Sequence, residues 1–323
     1  MTGDDTTSLR KRYKALRKAM LAYTPFVRRS RHLRIMGRME KYLRRLWSEE
    51  HEKNGAISSL FFAPMSSAAT AECLLNAPVK GHAVDELALF VTHAADPAIK
   101  PHVVDHIEVL LNEGIAVLLV VNTDMEPSVL DIHVDLTARL HGCLIRANTG
   151  YDFAAWAHAH TLVQADSIRR RLYLINDSII GPLDHSAYRA LLQRIRASKA
   201  DMVGLTANPH PHEHLQSFYL VFQERLLRSP IFDAFMRSVV NMPTKQLVID
   251  CYEVWLNPYL QRNGFRCEAM FPSISTEQHP DRNDTIHCWM ELVEAGFPFI
   301  KSQVLNDPVQ AAAARRLFPS HCR

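Results

Sequence analysis

Apolar residues follow two different periodicities along this chain, and together these periodicities predict an α/β fold. Residues 87–93 and 115–121 are almost continuously apolar, which is typical of strands that are covered on both faces. Between them, residues 101–112 carry apolar positions at helical spacing, and Gly114 closes the segment. A strand, a helix and a second strand in this order predict two parallel strands joined by a right-handed crossover.

The same alternation continues toward the carboxyl end of the chain. Further strands are predicted at 143–146, 171–175, 202–205, 215–222 and 266–270. Further helices are predicted at 151–164, 184–197, 231–240, 245–261 and 285–295, with a helix or turn at 128–141. We therefore predict that residues 86–323 form one α/β domain, in which a Rossmann-type mixed sheet is flanked by helices.

The segment before this domain differs from it in pattern and in charge. Residues 8–48 show helical spacing in two pieces that break near Pro25, and they hold fourteen Lys or Arg residues and one acid, Glu40. We interpret residues 1–55 as a basic helical arm and residues 56–85 as an irregular connector. The arm is either a helical hairpin that packs on the body or a surface that binds anionic lipid headgroups. Aromatic residues are sparse in it, so we expect no nucleic acid partner.

Composition favours a globular protein of a reducing compartment. The chain has 323 residues, of which 47% are hydrophobic and 22% are charged, and this is enough to bury a substantial core. The apolar run at 115–121 is too short to span a bilayer, and the first residues lack the apolar stretch of a signal peptide. Six scattered cysteines without a CxxC pair are typical of reduced thiols. We expect a cytoplasmic protein, held at the inner face of the membrane if the arm binds lipid.

Polar residues cluster where the predicted strands end. The strand ends carry His93, Asn122, Arg146, Asn148, Asn176, Asp177 and Ser178, and the helix after the third strand begins near Gly150, Tyr151 and Asp152. Because ligands bind outside the carboxyl ends of the strands in open α/β sheets, we expect these residues to line a binding site. A carboxylate such as Asp177 can bind Mg²⁺ or Mn²⁺ that carries a diphosphate. Gly150 would let the backbone approach a ligand closely, and the helix start at Tyr151 favours phosphate.

The two acids at these positions also have simpler structural interpretations. Asp177 can be a turn or capping residue, and Asp152 can be an ordinary carboxylate at a helix start. Trp156 lies one helical turn beyond Asp152, and we expect it in the core rather than at a sugar. The chain contains no Walker A sequence and no GxGxxG, so a P-loop or a dinucleotide site of the Rossmann type is not supported.

Several motifs in a fixed order give the chain a resemblance to a known family. They are Arg-x-Asn-x-Gly-Tyr-Asp-Phe-Ala-x-Trp at 146–156, Asn-Asp-Ser-x-x-Gly-Pro at 176–182, Gly-Leu-Thr at 204–206, His-x-Gln-Ser-Phe-Tyr at 214–219, Tyr-Glu-Val at 252–254 and Gly-Phe-Pro-Phe-Ile-Lys at 296–301. Over residues 86–308 the chain resembles the rhamnan synthesis protein F family of glycosyltransferases. The resemblance implies a fold similar to that of GT-A glycosyltransferases, which use nucleotide-diphosphate sugars.

The resemblance also implies roles for single residues. GT-A enzymes bind a metal and the donor diphosphate with an Asp-x-Asp sequence, whereas this chain has Asn176-Asp177-Ser178 with one acid, which leaves the need for Mg²⁺ or Mn²⁺ open. Glu253 matches, by order and context, the acid that serves as general base, and Asp152 is the alternative. His214 and Gln216 would lie in a loop near the donor or the acceptor.

We therefore expect an enzyme that transfers a sugar, with rhamnose suggested by the family, from a nucleotide-diphosphate donor. The acceptor would be a bacterial surface polysaccharide or a lipid-linked glycan, and the anomeric carbon would be inverted. A second hypothesis is a non-catalytic module that binds nucleotides or carbohydrates and has lost the acids. A third is a metal-dependent phosphohydrolase that uses His210, His212 and His214, which are also candidate ligands of a structural zinc.

Overall fold

The computed structural model describes residues 69–163, 167–209, 213–242, 244–274 and 283–322. Within these ranges, helices flank a central mixed sheet, so the predicted α/β class with a Rossmann-type sheet is confirmed. The predicted basic arm at 1–55 and the first part of the predicted connector lie outside the described residues. No helix among the described residues is both long and apolar enough to cross a membrane.

The strands and helices are numbered here in chain order. The strands are β1 Cys73–Ala77, β2 Val84–Ala94, β3 Ala116–Thr123, β4 Gly142–Ala147, β5 Ile168–Asn176, β6 Ile179–Ile180, β7 Met202–Asn208, β8 His214–Leu215, β9 Tyr219–Gln223, β10 Cys267–Phe271 and β11 Ile300–Lys301. The helices are α1 Pro101–Asn112, α2 Val134–Arg139, α3 Tyr151–Thr161, α4 His185–Ala197, α5 Glu224–Leu227, α6 Pro230–Ser238, α7 Lys245–Val248, α8 Val254–Arg262, α9 Asp284–His287, α10 Trp289–Glu294 and α11 Pro308–Leu317. A π-helical turn, Ile249–Glu253, joins α7 to α8, and 3₁₀ turns lie at Pro127–Val129 and Ser302–Asn306.

The order of the strands places a topological switch in the middle of the sheet. Across the sheet the order is β1-β4-β3-β2-β5-β9-β7-β10, with β8 paired to β7. Strands β2 and β3, β3 and β4, and β2 and β5 are all parallel pairs, so the chain passes from β2 to β3 on one side and reaches β5 on the other. The crevice outside the carboxyl ends of such strands is where open α/β sheets bind ligands. In this chain that position lies between β2 and β5.

The central strands are apolar on both faces because helices cover both sides of the sheet. On one face, Leu87, Leu89 and Val91 of β2 pack with residues of α3 and α8. On the other face, Ala88 and Phe90 pack with residues of α1 and α4. Burial of each large apolar side chain contributes about 1.5–3 kcal/mol, so these two layers hold the sheet and fix which face each strand residue occupies. A third, smaller apolar cluster joins β6, β11 and the carboxyl-terminal helices.

Most predicted elements are present, and three local predictions are wrong. The segment predicted as an irregular connector contains β1, which pairs antiparallel with β4, so the sheet begins before residue 86. The single strand predicted at 215–222 is two strands, β8 and β9, because the chain turns at Gln216-Ser217-Phe218. The helix predicted at 245–261 is interrupted by the π-helical turn that ends at Glu253.

Candidate functional site

The predicted site residues from four strands meet at one edge of the sheet. In the strand registers His93 of β2 lies opposite Asn122 of β3, and Asn122 lies opposite Arg146 of β4. Asn176 ends β5, which runs parallel to β2. These four residues continue the alternation of Val91, Val120, Leu144 and Leu174, which all belong to the core on the α3 side of the sheet. The sequence motifs at 146–156 and 176–182 therefore converge, as predicted.

Arg146 lies inside the protein, where its hydrogen bonds go to protein groups. Its side chain is 1% exposed, and its terminal nitrogens donate to Asn122 Oδ1 at 3.1 Å, to the carbonyl of Thr149 at 3.0 Å and to the carbonyl of Ala69 at 3.1 Å. A longer contact of 3.4 Å reaches Asn241 Oδ1. Burial lowers the pKa of the Arg146 guanidinium to about 10. The expectation that Arg146 contacts a diphosphate directly is therefore corrected: it joins the ends of β3 and β4 to neighbouring loops.

The turn that begins α3 is tight for a reason that the sequence did not reveal. Gly150 has φ +71°, and a Cβ at this position would lie 2.4 Å from Asn241 Oδ1. The structure thus shows a close approach to Asn241 that itself requires glycine. Tyr151 follows with φ +59° and a 39% exposed side chain. Backbone strain at a non-glycine residue in this region is characteristic of functional sites, and the ring stands at the amino end of α3.

Two of the predicted donor-binding asparagines also have protein partners. Asn122 is buried, and its side-chain oxygen accepts from Arg146. Asn148 is half-buried, and its Nδ2 donates to Asp124 Oδ2 at 3.1 Å. His93 has an exposed side chain, whereas its backbone N–H donates to Asp177. Of these three residues, His93 and Asn148 stay accessible at the edge.

Asp177 lies on the other face of the sheet and is already neutralised. Its Oδ2 accepts from Lys100 Nζ at 2.6 Å, from Thr92 Oγ1 at 2.7 Å and from the backbone N–H of His93 at 3.0 Å. The half-buried ring of His102, in the first turn of α1, also hydrogen-bonds to the Asp177 backbone, and burial lowers its pKa. Asp177 directly follows β5 and accepts from Thr92 and His93 of β2, so its ion pair with Lys100 lies at the switch position between these two strands. The Asp177 side chain is 16% exposed and that of Lys100 is 41% exposed.

This environment does not fit a divalent cation well. One carboxylate oxygen of Asp177 is used by three donors, one of them an ammonium group. Among the described residues, no group of three or more His, Cys, Asp or Glu side chains is placed to hold a metal ion. Mg²⁺ and Mn²⁺ prefer several oxygen ligands, and a cation at Asp177 would lie beside the positive charge of Lys100. His210 and His212 of the candidate zinc cluster lie outside the described residues.

Asp152 belongs to a hydrogen-bonded chain that links α3 to the end of β5. Asn176 Nδ2 donates to Asp152 Oδ2 at 2.7 Å, and the other oxygen of Asp152 accepts from the Phe153 N–H at 3.0 Å. Ser178 donates to Asn176 Oδ1 through its hydroxyl at 2.6 Å and its N–H at 3.1 Å. Burial, followed by the nearby charge of Glu253, raises the pKa of Asp152 above its ordinary range. Asn176 and Ser178 therefore orient a carboxylate that holds protons more tightly than usual.

Glu253 ends the π-helical turn and is held by residues of the motif at 214–219. Its Oε2 accepts from the Ser217 N–H at 2.9 Å and from the Ser217 hydroxyl, and His214 Nε2 lies 3.7 Å from its Oε1. Burial opposes the charge of Glu253, but the bonds and charge of His214 and the two Ser217 donors outweigh it and lower the pKa to about 2. A π-helical turn is frequent at functional sites, and here it brings Glu253 close enough to Asp152 for their charges to interact.

Lys301 is a member of this site that the sequence-based reasoning missed. It is half-buried at the end of β11, and its Nζ lies 4.1 Å from the centre of the Phe218 ring. Burial lowers its pKa to about 8, and the charge of Lys245 acts in the same direction, whereas Glu253 and Asp152 oppose the shift. The signal was available, since Lys301 is the only charged residue of the motif Gly-Phe-Pro-Phe-Ile-Lys at 296–301.

Two other predicted positions are structural. Gln216 is buried, and it accepts from Thr206 Oγ1 at 2.7 Å, which ties the motif at 214–219 to β7. Trp156 is fully buried, and its indole N–H donates to the Leu89 carbonyl at 3.0 Å. The prediction of Trp156 as a core residue is confirmed.

Most of the segments that build this edge lie in the part of the chain that matches a known family, whereas β2 lies before it. The family described as rhamnan synthesis protein F matches residues 117–320. The chain is 27% identical over 229 residues to the virulence protein VirA of Vibrio anguillarum, which covers 61% of this chain and 72% of that protein. It is 30% identical over 172 residues to the uncharacterized protein y4gN of Sinorhizobium fredii, which covers 51% of this chain and 43% of that protein. The chain belongs to the rhamnan synthesis protein F family, and this connects it with polysaccharide synthesis.

Proposed function

We propose that the protein is a glycosyltransferase that moves a sugar from a nucleotide-diphosphate donor to a glycan acceptor with inversion of the anomeric carbon. The observation that carries the proposal is the pair of half-buried carboxylates, Asp152 and Glu253, which interact at the carboxyl edge of the sheet beside the ammonium group of Lys301. A displacement of this kind needs a base for the acceptor hydroxyl and a positive charge for the leaving diphosphate. Both requirements can be met at this edge.

Asp152 is the better candidate for the general base. A base works best when its pKa lies near the working pH, and the pKa of Asp152 is raised whereas that of Glu253 is lowered to about 2. The charge of Glu253 is one cause of the raised pKa of Asp152. Glu253 would therefore act on Asp152 as a fixed negative neighbour, which revises the assignment of Glu253 as the first choice of base.

The chemical step follows from these roles. The acceptor oxygen attacks the anomeric carbon as its proton passes to an oxygen of Asp152. The bond from the anomeric carbon to the diphosphate oxygen breaks, and its electron pair stays on that oxygen. The exposed ring of Tyr151 and the side chain of His93 stand at the same edge, where they can contact the donor.

The family name and the relatives favour a bacterial glycan as the product. The matching family is named for rhamnan synthesis, so we assign rhamnose as the sugar and a nucleotide-diphosphate rhamnose as the donor. A surface polysaccharide or a lipid-linked glycan is the acceptor in this proposal. The basic segment at 8–48, which lies outside the described residues, would hold the enzyme at an anionic membrane surface where such acceptors are found.

The basic arm can be tested separately from the transfer reaction. The full chain and a chain that begins at residue 51 are compared for co-sedimentation with vesicles that contain phosphatidylglycerol, at low and high salt. We expect binding of the full chain that weakens with salt, and little binding of the shorter chain. Equal binding by the two chains would remove the membrane role of the arm without affecting the transfer proposal.

The transfer proposal is tested with a panel of nucleotide-diphosphate sugars. Thermal stability of the full chain is measured with each sugar nucleotide in the presence of Mg²⁺, Mn²⁺ or EDTA, because a ligand that binds the folded state raises the melting temperature. The stabilising donors are then assayed for release of the nucleotide diphosphate. Stabilisation without turnover by any donor and acceptor would favour the non-catalytic binding module, for which the ion pair between Lys100 and Asp177 is the supporting observation.

A further inference from the structure

Lys301 is fixed against the segment that ends β5. It is paired with Ile179 in the short sheet of β6 and β11, and the N–H of Ser302 donates to the Ser178 carbonyl at 2.8 Å. The side chain then passes over the face of Phe218, which lies in the same turn as Ser217. The ammonium group is thus held between the motif at 176–182 and the motif at 214–219 by backbone pairing and by a cation–π contact.

The charge of Lys301 has no direct counterion. Among the described residues, no carboxylate lies within ion-pairing distance of its Nζ, although Glu253 and Asp152 both act on it through space. A half-buried cation is costly for the fold when the described residues offer it no hydrogen-bond acceptor, because burial removes water that would otherwise solvate it. An anion that enters the site would recover this cost, so the arrangement is one that favours an anionic ligand.

Two other cationic groups near this edge, Arg146 and Lys100, are engaged elsewhere, whereas the exposed Lys245 lies near enough to act on Lys301 and Asp152 through its charge. The guanidinium of Arg146 is buried and donates to four protein acceptors. Lys100 is paired with Asp177 on the opposite face of the sheet. The environment of Asp177 does not fit a divalent cation well, because three donors, one of them the Lys100 ammonium group, already bind its Oδ2. The positive charge that a departing diphosphate requires is therefore available from Lys301.

We propose that the ammonium group of Lys301 binds the diphosphate of the donor and supplies the charge that a divalent cation supplies in many glycosyltransferases. This inference rests on the proposed transfer function. In an inverting displacement the base and the leaving group lie on opposite sides of the anomeric carbon. No ion pair joins Lys301 and Asp152 among the described residues, although the charge of Asp152 acts on Lys301 through space, and the proposal places the reacting carbon between these two groups. As the bond to the diphosphate oxygen breaks, Lys301 stabilises the charge that develops on that oxygen.

The test measures binding of inorganic pyrophosphate to the full chain by calorimetry at pH 7, in EDTA, with orthophosphate as the comparison anion. Three variants are compared with the wild type: Lys301→Met, Lys301→Arg, and Lys199→Met as a matched control at an exposed lysine before β7. We expect pyrophosphate binding without metal, tighter than orthophosphate binding. Lys301→Met should weaken it at least tenfold, Lys301→Arg should stay within about threefold of the wild type, and Lys199→Met should leave it unchanged.

The outcomes separate this inference from the transfer proposal. Equal binding by the wild type and Lys301→Met, or no binding of pyrophosphate until Mg²⁺ or Mn²⁺ is added, would overturn the role of Lys301. Loss of binding in Lys301→Met together with the absence of turnover of every sugar nucleotide would keep the anion site and reject the transferase. Turnover by the wild type with unaltered kcat and KM in Lys301→Met would keep the transferase and reject the role of Lys301.

Discussion

Asn176 and Asp152 are joined by a hydrogen bond of 2.7 Å that connects the end of β5 to the beginning of α3. The orientation of the Asn176 amide is fixed, because Ser178 donates twice to its oxygen and leaves the NH₂ group to face Asp152. Two motifs that are separated by about twenty residues in the sequence thus form one unit. The unit presents a carboxylate of fixed direction at the edge where the switch in strand order places a ligand site.

Replacement of Asp152 by asparagine should abolish transfer without loss of the fold. Asn has nearly the same shape but a single acceptor oxygen, so it keeps only one of the two hydrogen bonds, from Asn176 or from Phe153, and it cannot take the proton of the acceptor. General base catalysis contributes about 10²–10⁴-fold, so kcat should fall by that factor while KM for the donor changes little. The measurement is steady-state kinetics with melting temperatures, and Asp135→Asn, at an exposed helix position, is the control. A variant with more than a tenth of the wild-type kcat would show that Asp152 is not the base.

Replacement of Asn176 by alanine should shift the pH dependence of transfer. The Asn176 hydrogen bond lowers the pKa of Asp152 and Lys245 acts in the same direction, whereas burial and Glu253 raise it. Without Asn176 the pKa of Asp152 rises further, so the acidic limb of the kcat profile should move to higher pH. A purely structural role of Asn176 would lower kcat equally at all pH values. The profile of Asn176→Ala against that of the wild type distinguishes the two.

Replacement of Glu253 by glutamine should destabilise the protein at neutral pH by roughly 1–3 kcal/mol, since one pKa unit corresponds to about 1.4 kcal/mol. The folded pKa of Glu253, about 2, lies below its ordinary value of 4.5. The stabilisation is therefore complete above pH 4.5 and is lost as the pH falls from 4.5 toward 2. Urea unfolding of both proteins at pH 7 and pH 3 should show a difference that narrows to about half at the lower pH. A difference that is independent of pH would place the effect in packing instead of charge.

Replacement of Lys301 by methionine should have the opposite effect on stability. Burial lowers the folded pKa of Lys301 from its ordinary value of 10.5 to about 8, so the charged form is disfavoured in the fold. The attraction of Glu253 and Asp152 opposes this shift, and the repulsion of Lys245 adds to it. Between pH 8 and 10.5 the unfolded chain binds more protons, and the stability of the wild type rises with pH. Lys301→Met should thus be more stable by about 1–3 kcal/mol at pH 7, and this advantage should shrink between pH 8 and 10.5. A less stable variant would identify Lys301 as a stabilising ion-pair residue.

The sequence predicts the sheet better than it predicts the contacts at its edge. Continuous apolar runs identify β2, β3 and β5 because both faces of these strands are buried, and the polar residues that end them mark the edge. The pattern does not predict β1, because β1 is an edge strand whose residues are mostly exposed and its apolar run, Cys73 to Leu75, is only three residues long. Successive side chains of a strand point to opposite faces of the sheet, so the face of each polar residue can be predicted once the strands are known. This alternation places Asn176 and Asp177 on opposite faces.

Partners that come from distant segments could not be predicted. The glycine at position 150 is required by Asn241, which lies ninety-one residues later, and the buried state of Arg146 depends on Ala69 and Asn241. Glu253 was identified only through the resemblance, because its interaction with Ser217 depends on a π-helical turn that has no pattern in the sequence. Lys301 ends a short apolar run, and only its tertiary neighbours reveal that its charge has no carboxylate partner among the residues that the structure describes.

Replacement of Arg146 by lysine should test whether this residue binds substrate or holds the fold. Lysine keeps the charge but loses the planar fork, so the acceptors Asn122 Oδ1, Thr149 O and Ala69 O cannot all be satisfied. Since unpaired buried polar groups cost about 1–3 kcal/mol each, we expect a loss of roughly 3 kcal/mol or more in the free energy of unfolding. The matched control is Arg139→Lys, where an exposed guanidinium pairs with Glu108, and a change below about 1 kcal/mol is expected. Donor affinity of the folded Arg146→Lys fraction should equal that of the wild type. A large loss of affinity with unchanged stability would instead return Arg146 to the substrate site.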